Sequence, residues 1–250
     1  MTSPIPRIAA RITVVGAGRL GRAIAPALAA AGESVVGPLG RHDPLPTFTE
    51  QDIVLLCVPD EEIASAATTV PPGPFVGHCA GSLPLGLLGN HHAFSTHPLL
   101  SVTDGFTGFQ GAACAVAGRD ASALEVAKRI AARLGMDAIV VSDALRSLYH
   151  AAASMASNYL VTIEDAAERI AAPTGLERRH LARLARSALD NWERHGHRAL
   201  TGPISRGDET TVRGQRAAVA EHAPDQIPLW DSLAGATQRL ASTIRAGDSA

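Results

Sequence analysis

The stretch from Arg11 to Ile24 reads RITVVGAGRLGRAI, and its three glycines form a G-x-G-x-x-G pattern between an apolar run and a helix-like segment. In this context the first glycine permits a tight turn. The second lets the backbone approach a phosphate, and the third lets the helix pack closely on the strand. The free N–H groups and the dipole at the start of that helix attract an anion. Glycine-rich turns also serve as plain connectors, but the flanking sequence favours a cradle for a dinucleotide pyrophosphate. Its predicted contacts are Gly16, Gly18, Arg19, Leu20 and Gly21.

The composition is that of an ordinary globular protein, because 46% of the 250 residues are hydrophobic and 18% are charged. The net charge of -2 gives no reason to expect nucleic acid or an anionic membrane as a partner. The chain has three cysteines, and this odd number argues against a disulfide framework. No apolar stretch reaches the roughly 18 residues that a spanning helix needs. We therefore expect a cytoplasmic protein with no membrane partner.

Short apolar runs alternate with helical patterns through residues 11–142, which is typical of a parallel sheet covered by helices. The run DIVLLCV at residues 52–58 is the kind of strand that is buried on both faces. After residue 142 the strand-like runs stop, and helical segments follow, beginning with one at residues 144–172. The predicted fold class is α/β, with a Rossmann-type domain at 1–142 and an all-helical substrate or dimerisation domain at 143–250.

The end of the second predicted strand indicates which dinucleotide is bound. An acidic residue at this position usually recognises the ribose 2′-hydroxyl of NAD. This chain has Gly40 and Arg41 there, with no acid before Asp43. A guanidinium can pair with a 2′-phosphate, so we predict NADP(H) as the cofactor, although Arg41 could also be a solvated loop charge. Val58 and Pro59, at the end of the buried strand, are further predicted cofactor contacts.

Two later strand ends should reach the same edge of the sheet. Ser82 follows one of them and is predicted to touch substrate or nicotinamide. His97 follows another and is a candidate substrate contact and a reserve proton donor. Four histidines lie between residues 78 and 97, but their spacing matches no recognised ligand pattern, so we predict no metal.

Polar residues recur at intervals of three and four in the first helix after residue 142, and they include His150 and Asn158. If this stripe faces the cleft, His150 could donate a proton and Asn158 could orient a carbonyl. The alternative is a histidine satisfied at a helix–helix contact, and the sequence leaves both open. In the loop 201–208, Thr201 and Arg206 are predicted to hold a substrate carboxylate.

Five stretches resemble the Rossmann-like proteins that carry the C-terminal domain of unknown function DUF2520. They are VVGAGRLGRAI, DIVLLCVPDEEI, STHPLLSV, YHAAASMASNYLV and LTGPISRGDETTV. These proteins are related to F420-dependent NADP reductases, pyrroline-5-carboxylate reductases and 6-phosphogluconate dehydrogenase-like enzymes. The resemblance implies a C-terminal domain like that of 6-phosphogluconate dehydrogenase, and a homodimer.

The resemblance also implies an alternative ketopantoate reductase, an NADP-dependent oxidoreductase that reduces a small 2-oxo acid. Related enzymes place a catalytic lysine on the first helix of the second domain, whereas the only lysine here, Lys128, precedes the last predicted strand. A proton from His150 would take the place of the lysine. Reduction of an imine, an F420-linked reduction, and a non-catalytic NADP(H)-binding sensor or scaffold remain alternatives.

Overall fold

The computed structural model describes residues 10–103 and 105–247, and these divide into two compact units, a sheet unit that ends at Met155 and a helical unit that begins at Ala156. The first unit is built on a seven-stranded sheet. Its strands are β1 (Arg11–Val15), β2 (Ser34–Leu39), β3 (Ile53–Leu56), β4 (Phe75–His78), β5 (His92–Pro98), β6 (Ala113–Gly118) and β7 (Asp137–Val140).

The strand order is β2-β1-β3-β4-β5-β6-β7, and every neighbouring pair except β5 and β6 is parallel. The expected parallel sheet therefore has one antiparallel step. A parallel neighbour requires a crossover connection, which is usually a helix. The described residues between β5 and β6, 99–103 and 105–112, contain no helix, so the chain returns antiparallel.

Nine α-helices surround or follow the sheet in the described residues. Their bounds are α1 (Arg19–Ala30), α2 (Ile63–Thr68), α3 (Ala121–Arg133), α4 (Arg146–Ala156), α5 (Asn158–Ala171), α6 (Arg178–His195), α7 (Pro203–Arg206), α8 (Glu209–His222) and α9 (Ile227–Gly247). Across residues 10–103 and 105–247, no helix combines the length and apolar character needed to cross a membrane.

The run at residues 52–58 is a buried central strand, as predicted. Ile53 and Leu55 contribute to one apolar core, whereas Val54 and Leu56 contribute to a second, because successive side chains of a strand point to opposite faces. All four side chains are buried. The sheet therefore has a core on each face, as in α/β proteins whose helices cover both sides. The fold class predicted from the sequence, a Rossmann-type sheet followed by a helical part, is confirmed.

The single helix predicted at residues 144–172 is wrong, because α4 ends at Ala156 and α5 begins at Asn158. Ser157 between them has φ -124° and ψ -75°, outside the helical region. Serine and asparagine offer side-chain hydrogen bonds that compete with helical ones. The polar stripe is thus interrupted before Asn158. The compact unit that contains the sheet runs through Met155, and a domain boundary between residues 142 and 143 stays a prediction.

Candidate dinucleotide cleft and histidine pair

The glycine-rich turn joins β1 to α1, and its three glycines meet different surroundings. Gly16 has φ +111°, and a Cβ on it would lie 2.4 Å from the carbonyl oxygen of Cys57. A Cβ on Gly21 would lie 1.8 Å from the carbonyl oxygen of Gly16. A Cβ on Gly18, the N-cap of α1, would meet no protein atom within 4 Å. The turn therefore leaves open space in front of Gly18, where the first N–H groups of the helix point.

A cleft of about 610 Å³ opens beside this turn, at the C-terminal ends of β1, β2 and β3. This is the edge of an open α/β sheet at which ligands bind. Gly16 and Gly18 line one part of the cleft, and Arg41 lines another. Val58 and Pro59, which follow β3, complete the wall. The structure thus brings together predicted cofactor contacts from three separate parts of the sequence.

Arg41 does not face this cleft as an isolated cation. Its side chain is 73% exposed and forms an ion pair with Glu62, which also lines the cleft. A second carboxylate, that of Asp43, lines the cleft and accepts a hydrogen bond of 2.7 Å from the N–H of Gly40. The end of β2 therefore presents one guanidinium and two carboxylates. The sequence did not indicate that Glu62, which is distant in the chain, reaches Arg41.

A second cleft of about 350 Å³ adjoins the first, because Gly18, Val58 and Pro59 line both. Arg19 and Leu20 also line this second cleft, and so does His97, which lies on β5. The glycine-rich turn and His97 thus line adjoining clefts that share a wall. Among the described residues Ser82, which lies in the bend after β4, lines neither cleft.

His97 is half-buried, and its ring lies among other polar groups. Its Nδ1 is 2.7 Å from the hydroxyl oxygen of Tyr149, and the two rings meet edge to face. Burial, together with the neighbouring His150 and Arg146, lowers the pKa of His97 from 6.5 to about 4. The imidazole is therefore neutral at pH 7.

His150, on α4, lies beside His97 with 6.2 Å between the ring centroids. Gly81 makes this pairing possible, because a Cβ on it would lie 2.6 Å from Cδ2 of His150 and 2.9 Å from Nε2 of His97. The two histidines that the sequence offered as alternative proton donors are neighbours. His97 lines the second cleft, whereas His150 is exposed next to it.

Arg146 is a buried cation that the sequence analysis missed. Its side chain is 1% exposed, and it donates hydrogen bonds to Asp143, to the carbonyl oxygen of Ala80 and to the hydroxyl of Ser95. Charged groups are almost never buried unless they are paired. The spacing of Asp143 and Arg146, three residues apart at a helix start, was the available signal. The sequence could not show that β5 supplies a third partner.

Two thiols lie at the base of the second cleft. Cys57 and Cys79 follow the paired strands β3 and β4, and their Sγ atoms are 3.7 Å apart. The neighbouring thiol and burial raise the pKa of Cys57 well above its usual value, so the thiol is protonated at neutral pH. The described part of the chain contains no group of three or more His, Cys, Asp or Glu side chains that could hold a metal ion.

The remaining predicted site residues belong to the helical unit. Asn158 is the exposed first residue of α5, and Arg206 is the exposed last residue of α7. Thr201 lies in the loop before α7 and is also exposed. Asp208 accepts a hydrogen bond from the N–H of Thr211 and caps α8. The roles of Asn158, Thr201 and Arg206 stay predictions.

Solved structures with the same fold come from several organisms. A candidate NADP oxidoreductase of Bacteroides fragilis is 18% identical over 93% of this chain and 99% of its own, with a TM-score of 0.77. A Thermotoga maritima protein is 23% identical over 94% and 99%, with a TM-score of 0.73. A reductive aminase of Aspergillus terreus, solved with NADPH and ethyl-5-oxohexanoate, is 16% identical over 95% and 99%, with a TM-score of 0.67. At these identities the likeness shows the fold.

Sequence comparison with curated proteins finds no match. The family model described as a domain of unknown function, DUF2520, matches residues 112–237, which is about half of the chain. This match confirms the resemblance seen in the sequence. The chain therefore belongs to the family of proteins that contain the DUF2520 domain.

Proposed function

We propose that the protein is an NADP(H)-dependent oxidoreductase that reduces a small 2-oxo acid such as ketopantoate. The observation that carries this proposal is that the second cleft, which shares a wall with the first, is lined by both the glycine-rich turn and His97. Two proteins that share the fold are named as an NADP oxidoreductase and as an aminase crystallised with NADPH. Their names support a reductase, and the substrate is inferred from the family resemblance.

The chain's own residues fit a dinucleotide. Open space in front of Gly18 accommodates a pyrophosphate, which the N–H groups and dipole of α1 would hold. Arg41 would leave Glu62 and pair with a 2′-phosphate, a contact for which a guanidinium is well suited. Asp43 and Glu62 line the same cleft, and carboxylates there could instead bind the 2′-hydroxyl of NAD. The relative affinities for NADPH and NADH therefore decide between the two cofactors.

Bound NADPH supplies a hydride, which would reduce the substrate carbonyl to an alcohol. We assign the accompanying proton to His150, because the neutral ring of His97 is a poor acid near pH 7. His150 would donate this proton to the carbonyl oxygen, so that with the hydride the product is a 2-hydroxy acid. Asn158 would orient the carbonyl. The predicted substrate contacts are Ser82, His97, Thr201 and Arg206.

The test begins with cofactor affinity, measured by titration calorimetry with NADPH and with NADH. We expect the wild type to prefer NADPH and Arg41→Glu to lose most of that preference, because the new carboxylate repels a 2′-phosphate. Arg183→Glu makes the same charge change at an exposed residue of α6 and serves as control. A wild type that prefers NADH would assign the cleft to NAD(H), whereas an Arg41→Glu variant that keeps the NADPH preference would contradict the role of Arg41.

The second part of the test measures NADPH oxidation with ketopantoate. His150→Ala should lower kcat by roughly 10²-fold or more, as expected for loss of a general acid. If His150→Ala retains wild-type activity while His97→Ala loses it, the proton donor is His97. Turnover of a cyclic imine acid but not of ketopantoate would instead favour imine reduction, in which the substrate brings its own proton. Oxidation with F420 would indicate the F420-linked alternative, and tight binding without any turnover would indicate a sensor or scaffold.

We further propose that the chain forms a homodimer through its helical unit. Large apolar side chains on α6 are exposed, including Leu184 at 69% and Trp192 at 64%. Exposed apolar clusters of this kind mark interaction sites.

A further inference from the structure

The hydrogen bond between Tyr149 and His97 bears on the chemistry of the second cleft. We propose that Tyr149 is a positioning residue whose hydroxyl donates to Nδ1 of His97 and thereby holds His97 in the neutral tautomer that carries its proton on Nε2. This tautomer presents an N–H donor to an oxygen acceptor in the cleft, such as a carbonyl or carboxylate oxygen of the substrate. The role in catalysis rests on the proposed function, whereas the tautomer does not.

The geometry gives the two ring nitrogens of His97 different surroundings. Nδ1 is 2.7 Å from the Tyr149 hydroxyl, which is a short, well-formed hydrogen bond. Nε2 lies beside Gly81, where a Cβ would be 2.9 Å away. In the part of the chain that the structure describes, Nε2 has no hydrogen-bond partner, and the ring lines the second cleft. His97 therefore has one nitrogen occupied by the protein and another available to a ligand.

The protonation states favour a hydrogen bond that runs from tyrosine to histidine. Burial raises the pKa of Tyr149 to about 12, so the phenol keeps its proton at neutral pH. The pKa of His97 is about 4, so the imidazole is neutral and has one donor and one acceptor nitrogen. An imidazole lone pair accepts a hydrogen bond more strongly than a phenol oxygen does. Among the residues that the structure describes, His97 is the only hydrogen-bond partner of the Tyr149 hydroxyl.

Charged and titratable groups on the surrounding elements keep the ring neutral. Arg146 and His150 approach from α4, and the guanidinium of Arg146 is buried and permanently charged. His78, on β4, is a further neighbour whose own pKa is lowered to about 4 by burial and by Arg146. The permanent charge of Arg146 would repel a positive charge on His97. A neutral histidine with a defined tautomer is a hydrogen-bond donor that does not give up its proton. His97 would thus hold the substrate oxygen, while His150 supplies the proton.

The test is a long-range proton–nitrogen NMR spectrum of the ¹⁵N-labelled protein at pH 7, with His97 assigned from the spectrum of His97→Gln. In the wild type we expect Nε2 to show the shift of a protonated nitrogen and Nδ1 that of an unprotonated one. Tyr149→Phe should shift both signals toward a mixture of tautomers. The chain has a second tyrosine, Tyr159, and Tyr159→Phe should leave both signals unchanged.

A His97 that is protonated on Nδ1 in the wild type, or a tautomer that Tyr149→Phe does not change, would overturn the inference. The wild-type spectrum alone decides the first point even if the variant does not fold. For an active reductase, Tyr149→Phe should lower kcat roughly five- to tenfold with little change in KM, as expected for loss of one hydrogen bond. Absence of reductase activity in a protein with the expected tautomer would contradict the proposed function and leave the tautomer intact.

Discussion

Gly16, Gly18 and Gly21 belong to one sequence pattern but occupy three different environments. Gly16 needs its positive φ of +111°, and Gly21 is in close contact with the carbonyl oxygen of Gly16. Only Gly18 faces open space. The fold therefore requires two of the glycines. No protein atom lies close enough to Gly18 to require the third, which would matter only to a ligand that approaches the turn. This separation offers a test of ligand binding that does not depend on the reaction.

We expect Gly18→Ala to unfold at nearly the same denaturant concentration as the wild type but to bind NADPH at least tenfold more weakly, because its methyl group would occupy the approach of the phosphates. Gly21→Ala should be destabilised by several kcal/mol, because its Cβ overlaps a backbone oxygen. Urea unfolding and NADPH titration measure the two effects. An unchanged NADPH affinity of Gly18→Ala would argue against a dinucleotide at this turn.

Three other residues show which side-chain contacts could not be predicted from the sequence. The sequence offered His97 and His150 as alternatives, and the fold places their rings side by side across Gly81. Periodicity could not reveal this, because the residues come from a strand and a helix that are distant in the chain. Arg146 was missed for the same reason, since an arginine in a helix is usually exposed and only its partners explain its burial.

At the scale of elements, the paired strands β4 and β5 each carry a histidine near the C-terminal end, fully buried at His78 and half-buried at His97. His78 is fully buried on β4, and its Nδ1 accepts a hydrogen bond from the N–H of Ala80. Burial is the main cause that lowers the pKa values of both His78 and His97 to about 4. The folded state therefore disfavours protonation relative to the unfolded chain, where the histidine pKa is 6.5. The contribution of these two neutral histidines to the free energy of unfolding is therefore complete above pH 6.5, and it is lost as the pH falls toward 4.

Between pH 7 and pH 5, we expect the free energy of unfolding to fall by about 2 kcal/mol for each of His78 and His97. His78→Asn keeps an acceptor for the N–H of Ala80 but cannot titrate, so its pH dependence should be smaller by that amount. His195→Asn, at the exposed end of α6, is the control. Urea unfolding at several pH values measures the difference. If the free energy of unfolding depends on pH identically in His78→Asn and the wild type, the lowered pKa of His78 is contradicted.

The strands and helices of the sheet unit were largely predictable, because their apolar runs and helical periods are local signals. Two features of the elements were not. The antiparallel direction of β6 depends on the connection after β5, in which the described residues form no helix. A helical period does not show whether the side chains of Ser157 and Asn158 will compete with the hydrogen bonds of the helix.

At the scale of the whole molecule, the proposed homodimer can be tested at the exposed apolar side chains of α6. We expect the wild type to sediment as a dimer and the double variant Leu184→Glu with Trp192→Glu to sediment as a monomer, because burying unpaired carboxylates is costly. Arg186→Glu, which lies on a different side of the same helix, should remain dimeric. Sedimentation velocity measures the oligomeric state, and a monomeric wild type would refute the proposed dimer.

The sequence by itself determined the fold class, the glycine-rich turn and membership of the DUF2520 family, because these depend on local periodicity and on residues close together in the chain. Only the tertiary structure decided which charges and rings meet. Arg41 pairs with Glu62, Tyr149 bonds to His97, and Arg146 is buried against β5. The physical reason is that a parallel sheet gathers the ends of distant strands at one edge, and burial there sets protonation states that no stretch of sequence encodes.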